Sequence, residues 1–140
     1  MLLLTSTLAL FLFNAPQEKP RPHLPAAQVA KIAKQIATDE GWPIDQKGYT
    51  FDPMTPTEDD GFDSIGLYKD KHLVRMYSIN RTTGDIVDFM RGCDVFQFPD
   101  LKPFQSQIRS ATHSPGLTPE QLAAKAGCPK LTVVNTRWVQ

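Results

Sequence analysis

The segment from His72 to Phe89 constrains the fold most, because it has the pattern of two strands around a tight turn. The side chains of its first half alternate between two faces that both carry apolar residues, as in a central strand with a helix on one side and partial cover on the other. One predicted face holds Leu73, Arg75, Tyr77 and Ile79, and the other holds His72, Val74, Met76 and Ser78. Gly84 suits the turn, because it tolerates positive φ. We therefore predict a β-hairpin in the middle of an antiparallel sheet.

The best helix signal runs from Pro25 to Glu40. Apolar residues recur there at three- and four-residue steps and form one stripe: Ala26, Val29, Ala30, Ala33, Ile36 and Ala37. Pro25 suits the first helical position, and Gly41 suits a left-handed C-terminal cap. Small alanine side chains let such a helix lie close to a sheet. We predict an α+β fold with one N-terminal helix packed on an antiparallel sheet of three to four strands.

Two shorter strands are predicted before the hairpin, at Tyr49–Met54 and at Phe62–Tyr68. An acidic loop, residues 57–63, joins them and carries Glu58, Asp59, Asp60 and Asp63. The spacing of these acids departs from the calcium-binding EF-hand pattern. We therefore expect a solvated loop and no metal site.

The first 13 residues carry no charged side chain and are nearly all apolar. They are too few to span a bilayer, which needs about 20 helical residues, but they match the apolar core of a secretory signal peptide. We predict a signal peptide over residues 1–15 and a proline-rich spacer over residues 16–24. Phe13 and Pro16 depart from the A-x-A cleavage pattern around Ala15, so the sequence leaves the cleavage point open. The alternatives are a buried N-terminal element or an uncleaved membrane anchor. The predicted location is secreted or periplasmic.

The chain has two cysteines, Cys93 and Cys128. An even count in an exported chain indicates one disulfide, which here closes a loop of 35 residues. A redox or metal pair is disfavoured, because the spacing is not C-x-x-C and no histidine lies near either cysteine. The closed loop contains two predicted helices, Leu101–Ala111 and a second one that follows Thr118, where Thr118 and Gln121 have the spacing of a capping box. A last strand is predicted within Leu131–Val139, which completes a C-terminal extension over residues 93–140.

Residues 25–92 resemble the PepSY domain. The residues that carry the resemblance are the A-x-x-V-A-x-x-A pattern of Ala26–Ala33 and the turn Thr83-Gly84-Asp85-Ile86-Val87. The resemblance implies a small secreted or membrane-tethered module with a cystatin-like helix on a sheet. It also implies a role in inhibiting or restraining peptidases, with no catalytic residues. The chain departs from this family in the insert of residues 52–63 and in its C-terminal part.

The composition narrows the range of functions. Fifteen basic residues balance fifteen acidic ones, so no long-range field attracts nucleic acid. The sequence lacks a phosphate-binding glycine loop, a nucleophile elbow and a zinc-protease motif, and its three histidines are scattered. We expect no catalytic residue, no cofactor and no metal, and contact with a membrane only through an uncleaved N-terminus.

The function that we predict is an exported, non-catalytic module that binds a protein or peptide in the cell envelope, and that is a monomer. One alternative is a small-ligand binder with a pocket between the sheet and the C-terminal segment. Its candidate ligand-facing aromatic residues are Tyr77, Phe89 and Phe104, and the wider set adds Tyr68, Phe96, Phe98 and Trp138. A hydrolase is the third and least favoured possibility. Asn80-Arg81-Thr82 also matches the N-glycosylation sequon.

Overall fold

A computed structural model describes residues 21–56, 58–90 and 92–137. The predicted signal peptide and residues 16–20 of the spacer lie outside this part of the chain. Helix α1 spans Ala26–Glu40, and four strands follow it: β1 Tyr49–Met54, β2 Phe62–Lys69, β3 His72–Asn80 and β4 Ile86–Asp88. The C-terminal half contains β5 Asp94–Phe96, a 3-10 turn Pro99–Leu101, α2 Lys102–Thr112, α3 Pro119–Ala126 and β6 Thr132–Val134.

The described strands form one sheet in the order β1-β2-β3-β4-β5-β6. Neighbouring strands are antiparallel except β5 and β6, which are parallel. The predicted α+β class is confirmed, and the hairpin β3–β4 lies in the middle of the sheet. The strand count and the purely antiparallel arrangement are corrected to a six-stranded mixed sheet. The parallel pair arises because α2 and α3 carry the chain across before β6 returns to β5.

A bulge breaks the alternation that was predicted for β3. Leu67 faces Arg75 and Tyr68 faces Leu73 in the register, so Val74 has no partner of its own on β2. Val74 packs with the α1-side core. Leu73 points to the other face, since its side chain fills the space next to Gly66. The prediction that Leu73 and Arg75 share a face is therefore corrected, because a single extra residue reverses the faces on one side of a bulge.

The two faces of the sheet have separate cores. On one face α1 packs through Ala33, Ile36 and Ala37, all fully buried, and the same cluster takes in α2. This cluster also includes Ile65, Leu67, Tyr77, Ile79, Phe96, Phe104 and Ile108. On the other face α3 contributes Leu122, beside the disulfide Cys93–Cys128, whose Cα atoms are 6.1 Å apart. The predicted disulfide is therefore confirmed, and it fastens α3 beneath the end of β4.

The C-terminal elements follow local signals. Thr118 caps α3 by accepting a hydrogen bond from the backbone of Gln121, whose side chain accepts one from the backbone of Thr118. This reciprocal pair is the predicted capping box. Strand β6 occupies only three residues of the predicted Leu131–Val139, and residues 138–140 lie outside the described part of the chain.

Candidate binding surface and the charge clusters beside it

A buried ion pair joins the end of α1 to the centre of the sheet. Arg75 on β3 donates from Nε and Nη2 to Oε1 of Glu40, at 2.9 and 2.7 Å. The two side chains are 1% and 0% exposed. Both groups are brought there by backbone geometry, because α1 ends over β3 and the bulge at Val74 turns Arg75 towards the helix.

Two further carboxylates complete the arginine cluster. Nη1 of Arg75 lies 3.1 Å from Oδ2 of Asp88 and 2.8 Å from Oδ2 of Asp94. Asp88 and Asp94 are register partners on β4 and β5, so both present their carboxylates on the same face. Burial by itself lowers the pKa of Arg75, but the hydrogen bonds and charges of Glu40, Asp94 and Asp88 outweigh it and raise the pKa. The guanidinium therefore stays charged and links β3 to α1, β4 and β5.

The second oxygen of Glu40 is held by neutral donors. The hydroxyl of Tyr77 donates to Oε2 of Glu40 at 2.8 Å, and Nε1 of Trp42 donates to the same atom at 3.2 Å. Burial, followed by the negative charge of Glu40, raises the pKa of Tyr77 far above its ordinary range. The hydroxyl thus stays protonated and acts as a permanent donor.

A second cluster fixes the acidic loop to the hairpin turn. Arg81 is 4% exposed and pairs through Nη2 with Asp59. Its Nη1 is 3.2 Å from Nδ1 of His23, and that atom is 2.5 Å from Oδ1 of Asp63. The backbone N–H of Gly61, followed by Arg81, lowers the pKa of Asp59 against the effect of burial. Asp59 and Asp63 are therefore paired with Arg81 and His23, Asp60 accepts a hydrogen bond from the backbone N–H of Phe62, and Glu58 is exposed.

Helix α2 lines a groove on the surface of the described residues. Its volume is about 520 Å³, and Lys102, Gln105, Ser106 and Arg109 face it at helical spacing. The opposite side consists of Asp85, Gln97, Phe98, Pro99 and Leu117. Arg109 is held in place, because Nε donates to the carbonyl of Thr83 and Nη2 donates to Oδ1 of Asp85, both at 2.9 Å. The groove therefore lies between the hairpin turn and the segment that the disulfide closes.

The aromatic residues predicted to face a ligand lie in the two cores. Tyr77 is fully buried and Phe104 is 7% exposed. Phe89 packs edge-on against Phe62, with ring centroids 5.1 Å apart. None of these three lines the α2 groove, and their role in ligand binding stays a prediction. Phe98, from the wider aromatic set, does line the groove, and Trp138 lies outside the described residues.

The groove-lining residues of α2 were not singled out from the sequence. Their signal was present as a polar stripe of Lys102, Gln105, Ser106 and Arg109, opposite the apolar Phe104 and Ile108. Any exposed helix face shows such a stripe. It indicates a groove only where the helix lies against the hairpin turn, and the sequence alone does not show that contact. The histidines stay apart: His23 joins the Arg81 cluster, His72 contacts the carbonyl of Asp70, and His113 ends α2.

The described residues contain neither a cluster of metal ligands nor a helix that could cross a membrane. Within residues 21–56, 58–90 and 92–137, no group of three or more His, Cys, Asp or Glu side chains is arranged to hold a metal ion. Over the same ranges, no helix combines the length and the apolar character needed to cross a bilayer.

No family model matches the chain, and no curated protein does. The PepSY resemblance therefore stays a prediction. A solved structure does share the fold: a chain described as "Structure of a type VI secretion system effector-immunity complex from Pseudomonas protegens". It superposes with a TM-score of 0.63 at 15% sequence identity, over 76% of this chain and 91% of that chain. The similarity shows that the helix-on-sheet architecture described above also occurs in a second, sequence-distant protein.

Proposed function

We propose that this protein is an exported, non-catalytic module that binds another protein, and that it restrains a peptidase or another envelope protein. The observation that carries the proposal is the shared fold, which extends over 91% of a chain solved within an effector-immunity complex. A fold that accounts for nearly all of a chain found in a protein complex is a suitable scaffold for the same kind of task here. The peptidase component comes from the PepSY resemblance of residues 25–92.

The internal chemistry supports a scaffold role. Arg75 and Glu40 pair with each other and with neighbouring side chains. Arg81 is buried against the acidic loop. Such pairs fix the relative positions of elements and present no reactive group to a cleft. The disulfide Cys93–Cys128 supports an oxidising compartment, in agreement with export.

Affinity capture followed by a stoichiometry measurement tests the proposal. The full-length chain, tagged at its C-terminus, is expressed in its source organism, and captured envelope and secreted proteins are purified one at a time. Light scattering and calorimetry then determine whether a saturable complex of defined stoichiometry forms. An unrelated disulfide-bonded protein of similar size is the control bait. If no captured protein forms such a complex, the proposal is wrong.

The part of the proposal that concerns restraint of a peptidase is tested by an activity measurement. If the captured partner is a peptidase, its hydrolysis of a chromogenic peptide is followed while the purified protein is added. Restraint predicts that activity falls in proportion to complex formation. Restraint of a peptidase is ruled out if the partner has no peptidase activity, or if a bound peptidase hydrolyses the peptide at an unchanged rate. Protein binding stands in either case.

A small-ligand function is the second candidate, and the α2 groove favours it. A volume of about 520 Å³ lies within the range of sites that hold small molecules. The groove is lined by the hairpin turn at Asp85 and by residues 97–117 of the C-terminal segment. A small molecule from an envelope extract that raises the melting temperature in a saturable way would support this candidate over protein binding.

A further inference from the structure

The α2 groove has the length of a short extended peptide. Lys102 and Arg109 are two helical turns apart on the wall of the groove, which separates their Cα atoms by about 10 Å at 1.5 Å per residue. An extended chain advances about 3.3 Å per residue, so roughly three residues match that distance. Gln105 and Ser106 lie between the two cations and offer amide and hydroxyl groups to a backbone.

The groove has a positive surplus and a pre-oriented guanidinium. Its charged lining is Lys102, Arg109 and Asp85. Arg109 is fixed by Thr83 and Asp85, yet 32% of its side chain is exposed, and its Nη1 makes no hydrogen bond within the described residues. Lys102 is exposed and forms no ion pair within the same residues. A guanidinium held in this way is suited to a carboxylate.

Asp85 contributes to the groove by holding the guanidinium of Arg109. Its Oδ1 accepts a hydrogen bond from Nη2 of Arg109, and its Oδ2 is buried away from solvent. Asp85 therefore orients Arg109, and the two cations Lys102 and Arg109 are left to pair with an acidic side chain.

We propose that the α2 groove binds an extended segment of about three residues, with an acidic side chain, from the protein partner. This inference rests on the proposed function and specifies where and how the partner is held. Lys102 and Arg109 bind the acidic side chain, Asp85 holds Arg109 in place, and Phe98, Pro99 and Leu117 cover the apolar atoms of the segment.

Peptide titrations followed by NMR test the proposal. The probes are blocked tetrapeptides that differ at one position, which is Glu, Gln or Lys, and they are added to the ¹⁵N-labelled, oxidised full-length chain. We expect the Glu peptide to shift the amides of α2 and of residues 83–85 in a saturable way. The Gln peptide should bind about fivefold more weakly and the Lys peptide more weakly still. Scattered shifts, or equal affinity for the Glu and Lys peptides, would overturn the proposal.

Matched charge reversals test the role of the groove itself. Lys102→Glu should reduce affinity for the Glu peptide about tenfold, whereas Lys31→Glu on the exposed face of α1 should leave it unchanged. Both residues are exposed, so an unchanged spectrum elsewhere verifies the fold of each variant. Equal loss in the two variants means that only net charge matters, and this outcome rejects a specific site.

Two further outcomes separate this inference from its alternatives. Succinate serves as a small dicarboxylate, and if it shifts the same amides as strongly as the Glu peptide, the groove is a small-acid site and the peptide proposal is wrong. If the captured partner binds the wild-type chain and Lys102→Glu equally well, the groove inference fails while protein binding stands. If no partner is captured, the proposed function fails, whatever the peptides do.

Discussion

Oε1 of Glu40 accepts hydrogen bonds from both Nε and Nη2 of Arg75, at 2.9 and 2.7 Å, in a site that solvent does not reach. The pair spans 35 residues of sequence and joins the last residue of α1 to the middle of β3. Because both partners are buried, each of them depends on the other for the compensation of its charge.

Replacing Arg75 with methionine should destabilise the protein strongly. The substitution keeps apolar bulk but leaves Glu40, Asp88 and Asp94 without the guanidinium that they share. Removing one partner of a buried ion pair lowers the free energy of unfolding by about 3–5 kcal/mol. Urea denaturation followed by circular dichroism measures the change. Lys34→Met, on the exposed side of α1, is the control and should change stability by less than about 0.5 kcal/mol. Equal effects would mean that the cluster contributes nothing specific.

Reducing the disulfide should lower stability by about 3–4 kcal/mol, as expected from the loop-closure entropy of a 35-residue loop. The chain has no other cysteine, so a reductant acts on this bond alone. Denaturation curves with and without reductant give the difference, and a Cys93→Ser/Cys128→Ser variant should reproduce it. A variant that matches the oxidised protein in stability would contradict the prediction. Hydrogen exchange should show the earliest loss of protection in α3, which packs beside the bond.

Stability should fall as pH rises through the range in which Asp39 loses its proton. Burial, together with the neighbouring carboxyl of Asp100, raises the pKa of Asp39 to about 6 from its ordinary value of 3.8. The folded state therefore holds an extra proton between these two values. The free energy of unfolding is highest, as far as this group is concerned, below pH 4 and declines up to about pH 6. Because the side chain is partly exposed, the decline should be on the order of 1 kcal/mol.

Asp39→Asn isolates this contribution. The variant should show a flatter dependence of the urea midpoint on pH between 4 and 7, and should be more stable than the wild type at pH 7, since it cannot ionise beside Asp100. Asp45→Asn, in the exposed loop after α1, removes a carboxylate elsewhere and is the matched control. If the wild type and Asp39→Asn have parallel pH profiles, the raised pKa of Asp39 does not contribute to stability.

Gly84→Ala should be more destabilising than Gly61→Ala, although both glycines have positive φ. A Cβ at Gly61 meets no heavy atom within 4 Å, so that variant carries only the backbone strain of about 1–2 kcal/mol. A Cβ at Gly84 would lie 3.0 Å from the Cα of Gln105, which cannot move without displacing α2. The difference in unfolding free energy should be at least about 1 kcal/mol. Equal losses would show that α2 is not packed tightly on the turn.

Export should remove the predicted signal peptide. Intact-mass spectrometry of the protein from the periplasm or medium is expected to give a chain that lacks about the first 15 residues. The mass of the unprocessed chain, found together with the membrane fraction, would support the uncleaved anchor instead. Either mass is decisive, because the two chains differ by about 15 residues.

Features specified by neighbouring residues were the ones that the sequence predicted well. Helix α1 follows from its alanine stripe and Gly41, the hairpin from its alternation and Gly84, and the cap of α3 from Thr118 and Gln121. Each signal acts within a few residues of the structure that it produces. The disulfide was predictable for a different reason, because a chain with two cysteines allows a single intramolecular pairing.

Features that depend on distant partners were missed. Strand β5 has three residues, too few to show alternation, and it was not predicted. Strand β6 was predicted within Leu131–Val139, but its parallel pairing with β5 was not. The bulge at Val74 is set by pairing with β2, and the contact of Arg75 with Glu40 requires the whole fold to form. The α2 groove arises in the same way, since its walls come from the turn at Asp85, the segment after β5 and the helix itself.

The parallel pairing of β5 with β6 has a consequence for the order in which the protein folds. Strands β1 to β4 pair with their sequence neighbours, whereas β6 must return to β5 across two helices, which is a slow, non-local search. Cys93 directly precedes β5, and Cys128 comes shortly before β6, so oxidation brings the starts of both strands together. We therefore expect the meander to form first and the sixth strand to dock last. Strand β6 is then expected to join the sheet in the compartment where the disulfide forms.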